Sequence, residues 1–297
     1  MAEAAKPKQT SYEYGRGYQE AMRGYYYESK VASETNTEYL RVRLAHELVE
    51  KYALPRLGGR RPAEVTVVDV GCSVGLFAIE FAKRGFNSFG VDFDPVALDI
   101  AAQLNAEEGA SARFMRMDVA DWNLDVPIDI AVCFDLFEHL HDDEIGSLLS
   151  GLKRKLSPRG SLVFHTLPLQ YDYLFWEPSR GRIRFPALLR PFRRAAPGRF
   201  TRAVEIYATC LDLLSLLRRG GRAHRDAIKM DDHCNPLTRE RLEDILARAG
   251  YEVVHMASGF LGEVQLDPRD REAFHRQPVT HRSLYGVAVP KGAAAPS

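Results

Sequence analysis

The 297-residue chain is expected to fold as an α/β protein around a mostly parallel sheet, and three observations lead there. Strand-like runs alternate with helix-patterned segments, the rhythm of βαβ units whose sheet is buried between helices. The first run, Val67-Val68-Asp69-Val70, breaks into the glycine-containing turn Gly71-Cys72-Ser73-Val74-Gly75. The next run ends on an acidic residue, Asp92, 17 positions after Gly75. An apolar strand, a turn with little room for side chains and a carboxylate closing the following strand describe a nucleotide-like ligand seated over the carboxyl ends of the strands.

The elements follow in order. An aromatic cluster, Tyr12, Tyr14, Tyr18, Tyr25, Tyr26 and Tyr27 with Arg16 and Arg23, precedes an amphipathic helix over 38–53. Strands are expected at 64–70, 87–92, 112–117, 128–134 and 160–166, and helices at 75–84, 95–108 and 142–156. Pro95 suits the first turn of its helix and Asp94 is the natural cap. Apolar residues at 242, 245, 246 and 249 form a helical stripe that Thr238 would cap and Gly250 would end. Glu240 lies in its first turn, with Arg241 where a full capping box wants an acid. Strands at 251–256 and 284–289 close the fold, and the small-residue tail from Pro290 is expected to be disordered.

Composition agrees with a soluble globular protein: 45% of residues are hydrophobic and the formal net charge is zero. Cys72, Cys133, Cys210 and Cys234 are scattered with no C-x-x-C spacing, which predicts neither a disulfide framework nor a zinc cluster and fits a reducing cytosol. The polar N-terminus and the lack of a long apolar run predict neither export nor membrane spanning, so a cytoplasmic location is expected.

Gly71 and Gly75 can adopt positive φ or admit a ligand against the backbone, and Asp92 can accept both hydroxyls of a ribose. The turn is not a dinucleotide fingerprint, because Ser73 and Leu76 stand where G-x-G-x-x-G needs glycine. The spacing Asp69-x-Gly71-x-x-x-Gly75 resembles motif I of the class I S-adenosylmethionine (SAM) dependent methyltransferases, with Ser73 in place of the usual central glycine. Phe89-Gly90-Val91-Asp92-Phe93-Asp94-Pro95, Met117-Asp118-Val119, Asp129 to Asp135 and Leu156 to Thr166 resemble the family's later motifs in the same order. The resemblance covers roughly 62–168 and resumes at 231–290. It implies a Rossmann-like seven-stranded sheet with helices on both faces and an antiparallel last strand inserted beside the fifth. It implies SAM as cofactor, held by Asp69, Gly71, Ser73, Gly75, Asp92, Phe93, Asp118, Val119 and Asp135. In the family a segment like the N-terminal one lies over the cofactor, which makes Arg16 a further candidate ligand, for the SAM carboxylate.

After the fourth strand, Asp135-Leu136-Phe137-Glu138-His139 resembles the acid-x-x-Glu-His element of the ubiquinone-biosynthesis O-methyltransferases and their relatives. The resemblance raises two readings of Asp135, Glu138 and His139: ligands of a divalent metal such as Mg2+ that acidifies a substrate hydroxyl, or packing and bonding near the cofactor. A hydroxyl acceptor needs a general base, and the candidates are His139, His165 and His233, with His141 beside them.

The expected division is an N-terminal helical cap (1–60), a SAM-binding core (61–168), an Arg-rich helical lid inserted at 169–230, the rest of the core (231–290) and the tail (291–297). Between Pro178 and Val204 there are eight arginines and no acid; through Lys229 the balance is thirteen basic to three acidic residues, net +10. Such segregation favours an anionic partner: a phosphorylated or lipid-linked acceptor, or an acidic membrane surface. The face Tyr207, Cys210, Leu211, Leu214 and Leu217 suits a lid helix or a homodimer contact. Nucleic acid is not expected, since only Phe185, Phe192 and Phe200 offer stacking platforms there. The function expected is methyl transfer to a hydroxyl of a small molecule, with an N-acceptor next. Two other readings are a noncatalytic SAM-binding protein using the basic insert as an interaction surface and an NAD-dependent oxidoreductase, the latter opposed by the missing glycines.

Overall fold

The structure, a computed structural model, describes residues 16–31, 37–118, 122, 124–166, 176–177, 182–183, 235, 237, 239–259 and 283–293. Helices α1 (Arg16–Glu28) and α2 (Thr37–Leu48) come first, and α2 runs on through a π-helical turn (Val49–Ala53) and a 3-10 turn (Leu54–Leu57). Then follow β1 (Thr66–Val70), α3 (Leu76–Lys83), β2 (Asn87–Asp92), α4 (Pro95–Glu107) and β3 (Arg113–Arg116). The chain continues with β4 (Ile128–Phe134), a 3-10 turn (Phe137–His139), α5 (Asp142–Lys155) and β5 (Leu156–Thr166). It closes with α6 (Arg239–Arg248), β6 (Tyr251–Gly259) and β7 (Ser283–Pro290). Of the Arg-rich segment, only a two-residue antiparallel pair, Trp176–Glu177 with Arg182–Ile183, is described; the helical face at 204–217, His233 and Thr238 lie outside the described residues.

The strands form one seven-stranded sheet in the order β3-β2-β1-β4-β5-β7-β6. β1 to β5 pair in parallel, and β7 is antiparallel to both of its neighbours, β5 and β6, as expected from the resemblance. All five residues of β1 and all seven of β4 are buried, the pattern of central parallel strands covered on both faces. One face packs on α5 and α6 through Leu148, Leu152, Leu242 and Leu246, next to Leu162 and Phe164 of β5. The other packs on α2 and α3 through Leu44, Leu48, Phe77 and Phe81, next to Val163 of β5.

Local signals set most boundaries. Asp94 caps α4 by accepting the Val96 N–H at 2.8 Å, and Pro95 follows in the first turn. Three acids open α5 and Lys153-Arg154-Lys155 close it, each set matching the helix dipole, while His141 and Glu144 form its capping box. Gly250, at φ +80°, ends the α6 segment. Some expected bounds shift: β1 starts at Thr66 rather than 64, β6 runs to Gly259 rather than 256, and β5 starts at Leu156 rather than 160. Leu156 opposes Ile128 and Ser161 opposes Ile130, so the stretch through Pro158 and Gly160 bulges within the strand instead of forming a separate turn before it.

Helix α1 docks on α4. Tyr26 packs with Val74, Ile79, Ile100 and Leu104, Gln19 donates to Asp94, and Arg23 and Tyr27 both bond Glu107. Among the described residues, no helix is long and apolar enough to cross a membrane.

Candidate functional site

The turn between β1 and α3 is held in an unusual backbone shape. Gly71, Ser73 and Gly75 have φ of +70°, +45° and +83°. The Gly71 and Cys72 N–H groups both bond the Val91 carbonyl of β2, at 2.9 and 3.0 Å. A Cβ on Gly75 would lie 2.7 Å from the Phe114 ring, so the position requires glycine on space as well as on φ. Ser73 is the exception, an L-residue in the left-handed region. Ser73→Gly is expected to stabilise the protein by about 0.5–1 kcal/mol, the left-handed cost less the glycine's extra unfolded-state entropy, read from urea midpoints; no gain would mean that the serine is not strained.

Asp92, 9% exposed at the end of β2, ties this turn to α4: its Oδ2 accepts the Ser73 N–H at 2.8 Å and its Oδ1 the Asp94 N–H at 2.9 Å. Burial raises its pKa, while those backbone N–H groups pull it back. Each carboxylate oxygen keeps a second lone pair for a ligand hydroxyl. Asp69 lies beneath the turn, 2% exposed, with its Oδ2 accepting the Ala78 N–H of α3 at 3.1 Å. Burial pushes its carboxyl up to about 8, and in this setting it fastens strand to helix rather than facing a ligand. Phe93 and Asp118, at the ends of β2 and β3, are half-buried on the same edge of the sheet; Val119 lies outside the described residues. Arg16 is exposed at the first residue of α1.

At the end of β4, Asp135 also has a positive φ, +52°. Its N–H bonds the His165 carbonyl, its Oδ1 lies 2.6 Å from His165 Nδ1, and its Oδ2 lies 3.1 Å from Arg41 Nε of α2. Arg41 in turn donates to Glu38 at 2.8 and 3.0 Å. Burial alone would favour neutral Asp135, but Arg41 and His165 overcome it and hold the carboxyl below the usual range. Its contribution to stability is therefore present above the ordinary carboxylate pKa and lost as pH falls below it. Arg41→Gln should cost about 1–3 kcal/mol at neutral pH and move the acid unfolding midpoint upward; an unchanged acid limb would show that the pair does not bias Asp135.

His165 was a candidate base, yet it is fully buried and its Nε2 has no hydrogen-bond partner. The accessible member of the pair is Asp135, 22% exposed, so His165 is a support that holds Asp135 in place. Glu138, 1% exposed, accepts from Thr166 Oγ1 at 2.8 Å. Burial first, and then the nearby Asp135 charge, push its carboxyl well above the ordinary range.

The expected metal set does not fit this arrangement. His165 and Thr166 are successive residues of β5 and point to opposite faces, so the two carboxylates are anchored by different partners. Asp135 is flanked by Arg41 and His165, and Glu138 lies near enough for the Asp135 charge to disfavour its ionised form. Among the described residues, no group of three His, Cys, Asp or Glu side chains is disposed to hold a metal. His139 is half-buried in the turn between them, and His141 is committed to capping α5.

Two residues were not anticipated. Arg41 lies on the buried stripe of α2 with Leu44, Ala45 and Leu48; a cation at such a position needs a buried carboxylate, and that was the available signal. Asn235, 4% exposed, donates its side-chain amide to Leu140 and Asp142 and its N–H to the Glu138 carbonyl. It thereby fastens the segment before α6 to the turn carrying Glu138 and His139.

A family model described as a methyltransferase domain matches residues 38–256, from the start of α2 into β6. The chain is 27% identical over 137 residues to the ubiquinone biosynthesis O-methyltransferase of Pseudomonas syringae pv. tomato, covering 42% of this chain and 58% of that one. It is 24% identical over 135 residues to the protein of the same name from Rickettsia conorii, covering 41% and 46%. The chain thus spans about half the length of the curated relatives it matches. Two crystal structures share its fold. The magnesium protoporphyrin IX methyltransferase of Synechocystis, with bound S-adenosylhomocysteine (SAH), has a TM-score of 0.52 at 17% identity, over 93% of this chain and 98% of that one. A SAM-dependent methyltransferase from Clostridium acetobutylicum has a TM-score of 0.55 at 10% identity, over 92% and 99%. With its seven-stranded order, its turn after β1 and a family match over most of its length, the chain belongs to the methyltransferase-domain family, on the class I SAM-dependent methyltransferase fold.

Proposed function

We propose that this protein transfers the methyl group of SAM to a hydroxyl of a small molecule. The observation that carries the reading is the buried Asp92 bound to the Ser73 N–H, inside a chain that matches the methyltransferase domain over 38–256. The donor set fits the cofactor: Asp92 has lone pairs left for two ribose hydroxyls, and Asp118 and Val119 at the end of β3 are placed in sequence for the adenine. When bound, SAM supplies an electrophilic methyl group on its sulfonium. The chain's own work is to align the acceptor in line with it, exclude water and take a proton. Asp135, preorganised by Arg41 and His165, faces the acceptor side of this edge. His139, part-exposed beside it, takes the hydroxyl proton, and His165 acts through Asp135. The ubiquinone O-methyltransferase relatives support an O-acceptor, and the arginines of 178–204 favour one bearing a phosphate or another anion.

Calorimetry on the full chain with SAH and with NAD tests the cofactor, and label transfer from methyl-labelled SAM to a panel of phenols, sugars and amines tests the acceptor. SAH binding with label on a hydroxyl is the expected outcome. NAD binding without SAH binding overturns the reading, label on amines alone makes it an N-methyltransferase, and cofactor binding without transfer to any acceptor makes the protein noncatalytic. Because no group of three such side chains among the described residues is disposed to hold a metal, exhaustive chelation is expected to leave the transfer rate unchanged; a loss restored by Mg2+ would reinstate a metal at Asp135, Glu138 and His139.

A further inference from the structure

The turn that carries His139 is only loosely held by its own backbone. Phe137–His139 is a three-residue 3-10 turn between the positive-φ Asp135 and the start of α5. Its internal bonds, from the His139 N–H to the Leu136 carbonyl and from the Leu140 N–H to the Phe137 carbonyl, are 3.1 and 3.2 Å long, and bonds in such turns are poorer than those of an α-helix. The carbonyls before and after His139, those of Glu138 and Leu140, are bonded by one distant residue, Asn235. Its N–H donates to the Glu138 carbonyl at 2.9 Å, and its Nδ2 donates to the Leu140 carbonyl at 2.8 Å, 95 positions away in the chain. The same Nδ2 donates to Asp142 Oδ1 at 3.0 Å, an oxygen that Arg241 of α6 also bonds at 2.7 Å. Asn235 is buried, and Leu237 packs in one core with Phe137 and Leu140.

A buried carbonyl stripped of its donor costs free energy, so without Asn235 the turn gains a reason to rotate towards other partners. The Glu138 side chain has its own anchor in Thr166 of β5; what Asn235 sets is the backbone frame on both sides of His139. None of these bonds reaches the cofactor turn, which is held by Asp92 and the Val91 carbonyl. We infer that Asn235 is a positioning residue for methyl transfer, holding the His139 imidazole within reach of the acceptor hydroxyl through the carbonyls before and after it. The inference rests on the reading of His139 as the base. As the acceptor oxygen bonds the methyl carbon and the carbon–sulfur bond breaks to leave SAH, the hydroxyl proton passes to a ring nitrogen of His139. That transfer needs the two heavy atoms within hydrogen-bond distance, and a displacement of about 1 Å costs about 100-fold in rate.

Two variants of the full chain test this. Asn235→Ala removes the side-chain bonds, and Asn235→Asp, of the same size, keeps the main-chain bond but sets an acceptor against the Leu140 carbonyl and Asp142. With the acceptor that the parent methylates best, both variants are expected to lower kcat at least about tenfold, while SAH affinity by calorimetry stays within about twofold. In proton–carbon NMR spectra the Cε1–H resonance of His139, identified by its loss in His139→Gln, is expected to move or broaden in both variants, while those of His46 and His255 stay in place. A kcat kept in both variants overturns the inference. So do an unmoved His139 resonance and a fall in SAH affinity as large as the fall in kcat in both variants. A parent chain that methylates no acceptor removes the methyltransferase reading, and the inference with it; a parent that methylates beside variants that do so equally well removes the inference alone.

Discussion

Replacing Asp92 with alanine is expected to lower SAH affinity by about 100-fold or more while leaving a folded protein. The carboxylate is the group at the end of β2 that would accept the ribose hydroxyls, and each hydrogen bond to a charged acceptor contributes about 1.5–3 kcal/mol. Two of them correspond to at least a hundredfold in Kd. The same substitution removes the acceptor of the Ser73 and Asp94 N–H groups, so the turn loses its preformed shape as well as its ribose contact. Against this, a buried carboxylate whose pKa is already raised is removed, which limits the loss of stability. Calorimetry with SAH, beside a thermal melt, separates the two effects. An affinity within a few-fold of the parent would remove Asp92 from the cofactor site.

The largest expected effect on stability lies elsewhere, at Gly286 in the middle of β7. A Cβ there would sit 2.1 Å from the His255 carbonyl oxygen of β6, a backbone atom with little freedom to move, and 2.8 Å from the Phe164 ring. The approach arises where the β6–β7 register slips between Val253 and His255, which brings the His255 peptide against β7. Gly286→Ala is expected to cost about 3–5 kcal/mol and to lower Tm by about 10 °C, more than ordinary overpacking because backbone opposes it. SAH affinity measured well below the melt should be retained, since the cofactor turn is on the other side of β4. A melt within a degree or two of the parent would mean that the slip is not at His255.

Much of this architecture was legible in the sequence because it rests on short-range signals. β2 and β4 end where the apolar runs end, Asp94 and Pro95 mark the start of α4, and Gly250 marks the end of α6. The cofactor edge was legible for a similar reason: a glycine turn and a carboxylate at strand ends face the same way in any parallel sheet. What was not legible depends on which face of β5 each residue occupies. Alternation directs His165 towards α2 and Thr166 towards α5, and this single step gives different anchors to Asp135 and Glu138, residues whose spacing alone suggested one shared centre. Arg41 joins Asp135 across a long stretch of sequence, and only its place on the buried stripe of α2 hinted at a buried acid. The slip at His255 left no mark beyond Gly286 itself.

The contact between Gln19 and Asp94 has a consequence beyond docking. Gln19 donates to Asp94, the Asp94 N–H bonds Asp92, and Asp92 accepts the Ser73 N–H. Helix α1 and the turn that would hold the cofactor thus lean on the same pair of neighbouring acids, from opposite ends. Thermodynamic reciprocity then applies: whatever free energy the seating of α1 lends to a ligand on Asp92, that ligand returns to the seating of α1. The N-terminal helix is in this sense a gauge of occupancy as well as a cover, and the protection of its amides against exchange would register a ligand bound at Asp92.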